Sequence, residues 1–178
     1  MKLKLLSVAL LLPFAAFADN TVTFLGEVSD STCNVTVNGT AGNISVLLPT
    51  IPASALNEAA ITAGQTPFKF VVSGCTAATQ TTVGMRLVPV SVTATGGNLT
   101  NLASANPASN VDIQIIDNYN NGNKVIDFTS GEYVSTDLVT LPTAGQQLEF
   151  PFTAQYYATG AASVGKVESQ LQYALTYK

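Results

Sequence analysis

The last fourteen residues, Gly165 to Lys178, read GKVESQLQYALTYK. Val167, Ser169, Leu171, Tyr173, Leu175 and Tyr177 fall on one face of an extended chain, and Glu168, Gln170, Gln172 and Thr176 fall mostly on the other. Successive side chains of a strand point to opposite faces, so this period of two reads as an amphipathic β-strand, a good terminal strand for a β-sandwich. The same alternation, carried by Val, Ile, Thr, Tyr and Phe, recurs upstream. It predicts strands over Val22 to Val28, Cys33 to Val37, Ile44 to Leu48, Phe68 to Ser73, Val83 to Val88 and Val90 to Thr95. Further strands are predicted over Val111 to Ile116, Lys124 to Phe128, Leu138 to Leu141 and Leu148 to Tyr157. Only the short Ala53 to Ala60 looks helical. Many short strands divided by turn-rich loops such as Gly96-Gly97-Asn98 and Asn120-Asn121-Gly122-Asn123 argue an all-β, immunoglobulin-like sandwich.

The other end reads MKLKLLSVALLLPFAAFA. Lys2 and Lys4 precede an apolar run, Leu5 to Phe14, and Ala16-Phe17-Ala18 forms an A-x-A cleavage site, which is the pattern of a secretory signal over residues 1–18. The run is too short to span a bilayer, and polar residues interrupt every later one, so no membrane insertion is expected. The whole chain carries a net charge of −4, and losing Lys2 and Lys4 makes the remainder more negative still. That disfavours nucleic acid as a partner. Charged residues are 10% of the chain against 47% hydrophobic, a surface poor enough in charge to be sticky if left uncovered.

Cys33 and Cys75 would sit in an oxidising compartment, where an even count reads first as a structural disulfide. The chain has no histidine, which removes imidazole metal sites and His-dependent triads; no cofactor or metal is expected. The basic residues left after processing, Lys69, Arg86, Lys124, Lys166 and Lys178, lie in no catalytic motif. Asp112, Asp117 and Asp127 are close in sequence, but alternation is expected to scatter them on solvated faces or in turns. The chain does not read as an enzyme. The sequons at Asn34, Asn38, Asn43 and Asn98 are what an Asn-, Ser- and Thr-rich composition produces by itself.

After the signal the chain continues DNTVTFLGEVSDSTC. Val22, Phe24, Gly26 and Val28 alternate on one face, and a glycine on the apolar face of a strand points to close approach of another backbone. Gly26 and Val28 shortly before Cys33, Cys75 closing FKFVVSGC, the phrase FTAQYYATGAASVG (Phe152 to Gly165), Gly165 fourteenth from the end and the penultimate Tyr177 occur together and in order. In these features the chain resembles the type 1 fimbrial major-subunit family of chaperone-usher pilins.

The resemblance implies an incomplete immunoglobulin-like sandwich that lacks its last strand, with a hydrophobic groove between the strand near Tyr156 and an edge, completed by a donor strand from a neighbouring subunit. Residues 19–30 would be the N-terminal donor-strand extension, inserting Val22, Phe24, Gly26 and Val28, and residues 31–178 the pilin domain. A periplasmic chaperone would fill the groove first, contacting Gly165, Val167, Leu171, Tyr173, Leu175 and Tyr177 and anchoring the carboxylate of Lys178. At an outer-membrane usher the next subunit's arm would replace it, giving a head-to-tail homopolymer at the cell surface. The expected function is a fimbrial shaft pilin for surface adhesion. A minor adaptor or adhesive tip subunit requires the same two termini, and a self-contained carbohydrate-binding sandwich is the reading from another class.

Overall fold

The computed structural model describes residues 32–76, 82–141 and 146–178. Among them nine strands form two antiparallel sheets. The larger sheet orders β1 (Thr32–Val37), β2 (Thr62–Thr76), β8 (Gln147–Ala158), β4 (Val111–Asp117) and β5 (Lys124–Val125) as β1-β2-β8-β4-β5. In the smaller sheet β3 (Thr82–Pro89) pairs along one edge with β6 (Tyr133–Val134) and β7 (Val139–Thr140), and along the other with β9 (Leu171–Tyr177).

Alternation decides what lies between the sheets. In β2 the residues Phe68, Phe70 and Val72 point inward, facing Phe150, Phe152 and Ala154 of β8, while Lys69 and Glu149 pair on the outer face at 2.6 Å. Phe70 meets Phe152 edge-on at 5.5 Å, and Phe68 lies over Phe152 at 5.8 Å. From the smaller sheet Val83, Met85 and Leu87 enter the same core fully buried. Burying each such side chain is worth roughly 1.5–3 kcal/mol, so this contact dominates the fold. The expected disulfide is present: Cys33 and Cys75, 42 apart in sequence, join the start of β1 to the end of β2.

Several expectations are corrected. Val90 to Thr95 is no strand; the chain turns at Gly96 and Gly97, both at positive φ, and returns so that Val92 bridges Leu99. Lys124 to Phe128 is a strand only at its first two residues, and Ile126 and Phe128 are core side chains on irregular backbone, each 1% exposed. The helix over Ala53 to Ala60 reduces to one 3₁₀ turn, Ala53–Leu56, burying only Leu56. Ala60 then adopts φ 68° and donates its N–H to Ala158 O, so β8 captures the chain before a helix can propagate. Ile44 to Leu48 keeps the alternating burial of a strand without forming a ladder. Gly64, at φ 67°, bulges β2, and a Cβ there would stand 2.8 Å from the Tyr156 ring.

The groove is not beside the strand of Tyr156. That strand, β8, is interior to its sheet, paired with β2 on one side and β4 on the other. An interior strand has no backbone groups left to accept another.

Candidate functional site: two open edges

The smaller sheet ends at β9. Thr82 and Lys178 exchange both backbone hydrogen bonds, at 2.9 and 3.0 Å. Hydrogen-bonded and non-bonded pairs alternate along an antiparallel ladder, so Gln172, Ala174 and Thr176 bond to β3, while the N–H and C=O groups of Leu171, Tyr173 and Leu175 point to the far side. Among the described residues nothing pairs with that side. Beside it lie Gly42 and Asn43, at the start of residues 41–51, a segment whose backbone makes no backbone–backbone hydrogen bond among the described residues. Ile44, Val46 and Leu48 of this segment are half-buried against the core, while Leu47 between them is 89% exposed. This is the alternating burial of a strand, with no pairing partner among the described residues.

Local sequence explains why the segment stands apart. Asn38 and Gly39, at φ 50° and 84°, form a two-residue turn in which Val37 and Thr40 exchange hydrogen bonds of 2.9 Å. Asn-Gly is the pair such a turn favours, because both central residues need positive φ. The Asn38 carboxamide oxygen accepts from Lys69 N at 2.9 Å and fixes the turn to β2. Beyond it the chain leaves the larger sheet. It is caught again near Pro49, whose carbonyl accepts from the Tyr156 hydroxyl at 3.2 Å; burial raises that phenol's pKa.

Between the two edges the floor is apolar. Leu171, Tyr173, Leu175 and Tyr177 of β9 and Cys33 and Val35 of β1 pack half-buried on the main core. Two tyrosines reach across: the Tyr177 hydroxyl accepts from Cys33 N at 3.0 Å, and the Tyr173 hydroxyl donates to Gly42 O at 3.3 Å. The Tyr173 ring rests on Phe70, centroids 4.9 Å apart. Beside it Gly42, Asn43, Leu171, Gln172 and Tyr173 surround an open recess of about 400 Å³.

The structure thus brings together Leu171, Tyr173, Leu175 and Tyr177, with Lys178 held by Thr82, whose hydroxyl also donates to Lys178 O at 2.9 Å. Val167 packs half-buried against both core clusters, before β9 begins. Gly165 belongs to a different contact: a Cβ there would lie 2.3 Å from Ala108 N, so its backbone passes directly over Pro107 and Ala108. Val22, Phe24, Gly26 and Val28 lie outside the described residues.

Sequence reasoning missed Asn101. Its carboxamide donates to Ala108 O and Lys166 O at 3.0 and 2.9 Å and accepts from Ala103 N and Glu168 N at 3.1 and 3.0 Å. All four amide hydrogen-bonding positions are used, pinning residues 166–168 before β9 begins. An Asn in an Asn-rich loop carries no pattern that marks it.

The acidic residues are also placed differently from expectation. Asp112 and Asp117 are buried, and only Asp127 is a surface turn residue. The loop that docks Leu99 on Ile113 brings Thr93 to Asp112, whose carboxyl accepts the Thr93 hydroxyl at 2.6 Å. Burial raises the pKa of Asp112 despite that bond. Asp117 accepts from the Tyr133 hydroxyl and from Tyr119 N; burial first, and this carboxylate second, push the Tyr133 phenol well above its ordinary range. Each carboxylate has its own partners. Among the described residues no three of His, Cys, Asp and Glu gather in a way that would hold a metal ion.

Among the described residues the antiparallel sandwich is left with one seam, in which the outer edge of β9 and residues 41–51 stand unpaired over an apolar floor. The family model for FimA, the type-1 fimbrial protein A, matches residues 48–178. The chain is 38% identical over 165 residues to the F17 fimbrial protein of Escherichia coli, covering 90% of this chain and 88% of that one. It is 36% identical over 168 residues to the major fimbrial subunit SMF-1 of Stenotrophomonas maltophilia (strain K279a), covering 93% and 96%. The crystal structure of the P pilus rod subunit PapA superposes with a TM-score of 0.63 at 16% identity, over 82% of this chain and 99% of that one, and has the same fold. The chain belongs to the type-1 fimbrial protein family and is a structural pilin.

Proposed function

We propose that this pilin is a shaft subunit that polymerises head to tail by donor-strand exchange, residues 19–30 of one copy entering the seam between β9 and residues 41–51 of the next. The observation that carries the reading is that the outer edge of β9 and residues 41–51 are both left unpaired among the described residues. Backbone hydrogen bonds to both edges would give affinity, and Val22, Phe24 and Val28 entering the apolar floor would give register. Each large side chain buried adds roughly 1.5–3 kcal/mol. Donor and acceptor are different surfaces of one chain, so the contact repeats without closing and a filament follows.

Before assembly the seam is an adhesive edge. A periplasmic chaperone supplying a temporary strand against Leu171 to Tyr177 and engaging the carboxylate of Lys178 answers that hazard. An outer-membrane usher is then the place of exchange, and the fibre is displayed on the cell surface. The role needs no catalytic chemistry, since completing the fold supplies the driving force.

Deleting residues 20–28 from the mature subunit tests this. The expected result is a chaperone-bound subunit, recovered at wild-type level, that no longer elongates fibres. Normal fibres from the deletion variant would overturn the reading. A subunit scarce in sheared fibres and present once or twice per filament would make it an adaptor instead of a shaft protein.

A further inference from the structure

Resting on that strand-accepting reading, we propose that Asn101 is a positioning residue of the acceptor edge: its carboxamide stands in for β3 where β3 turns away, and so carries the open edge of β9 back from Leu171 to Val167. The ladder between β9 and β3 continues as far as Val90, whose N–H donates to Gln170 O at 3.0 Å. The chain then leaves β9. Ser91 and Val92 enter a hairpin closed by Thr100 N to Ser91 O at 3.2 Å and by the Val92–Leu99 bridge, and Leu99 exchanges both backbone bonds with Ile113 of β4. The residues just before Gln170 therefore have no β3 beside them.

They keep the pattern of a strand nonetheless. Val167 and Ser169 are half-buried between the exposed Lys166, Glu168 and Gln170, an alternation that runs on into Leu171 and Tyr173. Lys166 N donates to Asn106 O at 2.7 Å, Lys166 O accepts from Ala108 N at 2.9 Å, and Glu168 O accepts from Leu102 N at 2.6 Å. Asn101 completes this row. Its Nδ2 donates to Lys166 O at 2.9 Å and its Oδ1 accepts from Glu168 N at 3.0 Å. One carboxamide thus takes the two groups that flank Val167 on that side, as the backbone of a neighbouring strand would. Its other two positions go to Ala108 O and Ala103 N and fix the loop that carries it. Ser169 Oγ adds a bond to Thr100 O at 2.8 Å.

Alternation then sets the direction of the groups left over. Backbone groups of successive strand residues point to opposite sides, so those of Val167 and Ser169 point the same way as those of Leu171, Tyr173 and Leu175. Among the described residues Val167 and Ser169 make no backbone–backbone hydrogen bond. The acceptor edge runs over residues 167–175, a span that residues 19–30 are long enough to cover.

Amide hydrogen exchange in purified fibres reads this position by position. In wild-type fibres Val167 and Ser169 are expected to exchange as slowly as Tyr173 and Leu175. In Asn101→Ala fibres, exchange at Val167, Glu168 and Ser169 is expected to rise by about tenfold or more, with Tyr173 and Leu175 unchanged. Fast exchange at Val167 and Ser169 in wild-type fibres, beside protected Tyr173 and Leu175, overturns the extended edge. Unaltered protection in the variant overturns the role of Asn101. Either result leaves the strand-accepting reading standing; that reading fails separately, if Tyr173 and Leu175 are themselves open in wild-type fibres. Should Asn101→Ala form no fibres, its complex with the chaperone, whose strand lies against Leu171 to Tyr177, decides. A complex recovered at wild-type yield that does not elongate supports the positioning role, and loss of the complex as well makes Asn101 a residue of general folding and overturns the proposal.

Discussion

The Tyr177 hydroxyl accepts the backbone N–H of Cys33 at 3.0 Å, tying the edge strand of one sheet to the edge strand of the other next to the disulfide. This bond spans the end of the seam where β1 and β9 approach. Tyr177→Phe removes the acceptor and leaves a part-buried N–H without it, at a cost of about 1 kcal/mol. In subunits completed by an added arm peptide, the expected result is a melting temperature lower by about 2–4 °C, with the fibre-forming register intact. An unchanged melting temperature would show that the bond does not hold the seam.

Cys33→Ser with Cys75→Ser opens a cross-link 42 residues apart. In the chain-entropy account a loop of that size is worth about 4 kcal/mol. A subunit already lacking one strand has little stability in reserve, so the variant is expected to be degraded before chaperone capture. Immunoblots of periplasmic extracts check this; wild-type abundance would contradict it.

Asp112 gives a pH signature. Burial raises its pKa in the folded state above the unfolded value of about 3.8, so ionisation opposes folding. Its contribution is most favourable below the unfolded pKa and is lost as pH rises through the folded one. Asp112→Asn keeps an acceptor for Thr93 and removes the charge. The variant is expected to melt higher than wild type at neutral pH, the difference shrinking on acidification toward pH 4. A constant difference across that range would show that the carboxyl's charge is not what matters.

Much of the fold was legible because alternation is a local signal. Phe68 to Ser73, Val111 to Ile116 and Leu148 to Tyr157 each became the heart of a strand, since a buried face repeats every second residue whatever the partner. What failed depends on contacts distant in sequence. Asp112 and Gln114 read as outward residues, and they are, but the loop bearing Thr93 and Asn98 folds onto them; the Gln114 carboxamide donates to Asn98 Oδ1 at 3.2 Å. Tyr133–Val134 escaped notice because two residues carry no period. The seam was anticipated, yet placed beside Tyr156; that side chain does reach the open segment through Pro49, but its strand is paired on both sides.

Gly165 distinguishes a packing role from a chaperone contact. A methyl group there meets Ala108 N at 2.3 Å, on backbone that cannot move aside without disturbing the Lys166–Asn106 hydrogen bond of 2.7 Å. Gly165→Ala is expected to destabilise by about 1–3 kcal/mol. Reduced subunit yield that a complementing arm peptide partly rescues, at normal chaperone affinity for the folded fraction, fits packing. Normal folding with lost chaperone binding would assign Gly165 to the chaperone surface.

Amide hydrogen exchange in purified fibres tests the central claim within one strand. The N–H groups of Gln172 and Ala174 bond to β3, and those of Tyr173 and Leu175 point to the open edge. If each subunit's seam is filled by its neighbour's arm, Tyr173 and Leu175 will exchange as slowly as Gln172 and Ala174. Fast exchange at Tyr173 and Leu175 beside protected Gln172 and Ala174 would mean the edge stays open in the fibre, and the account would be wrong.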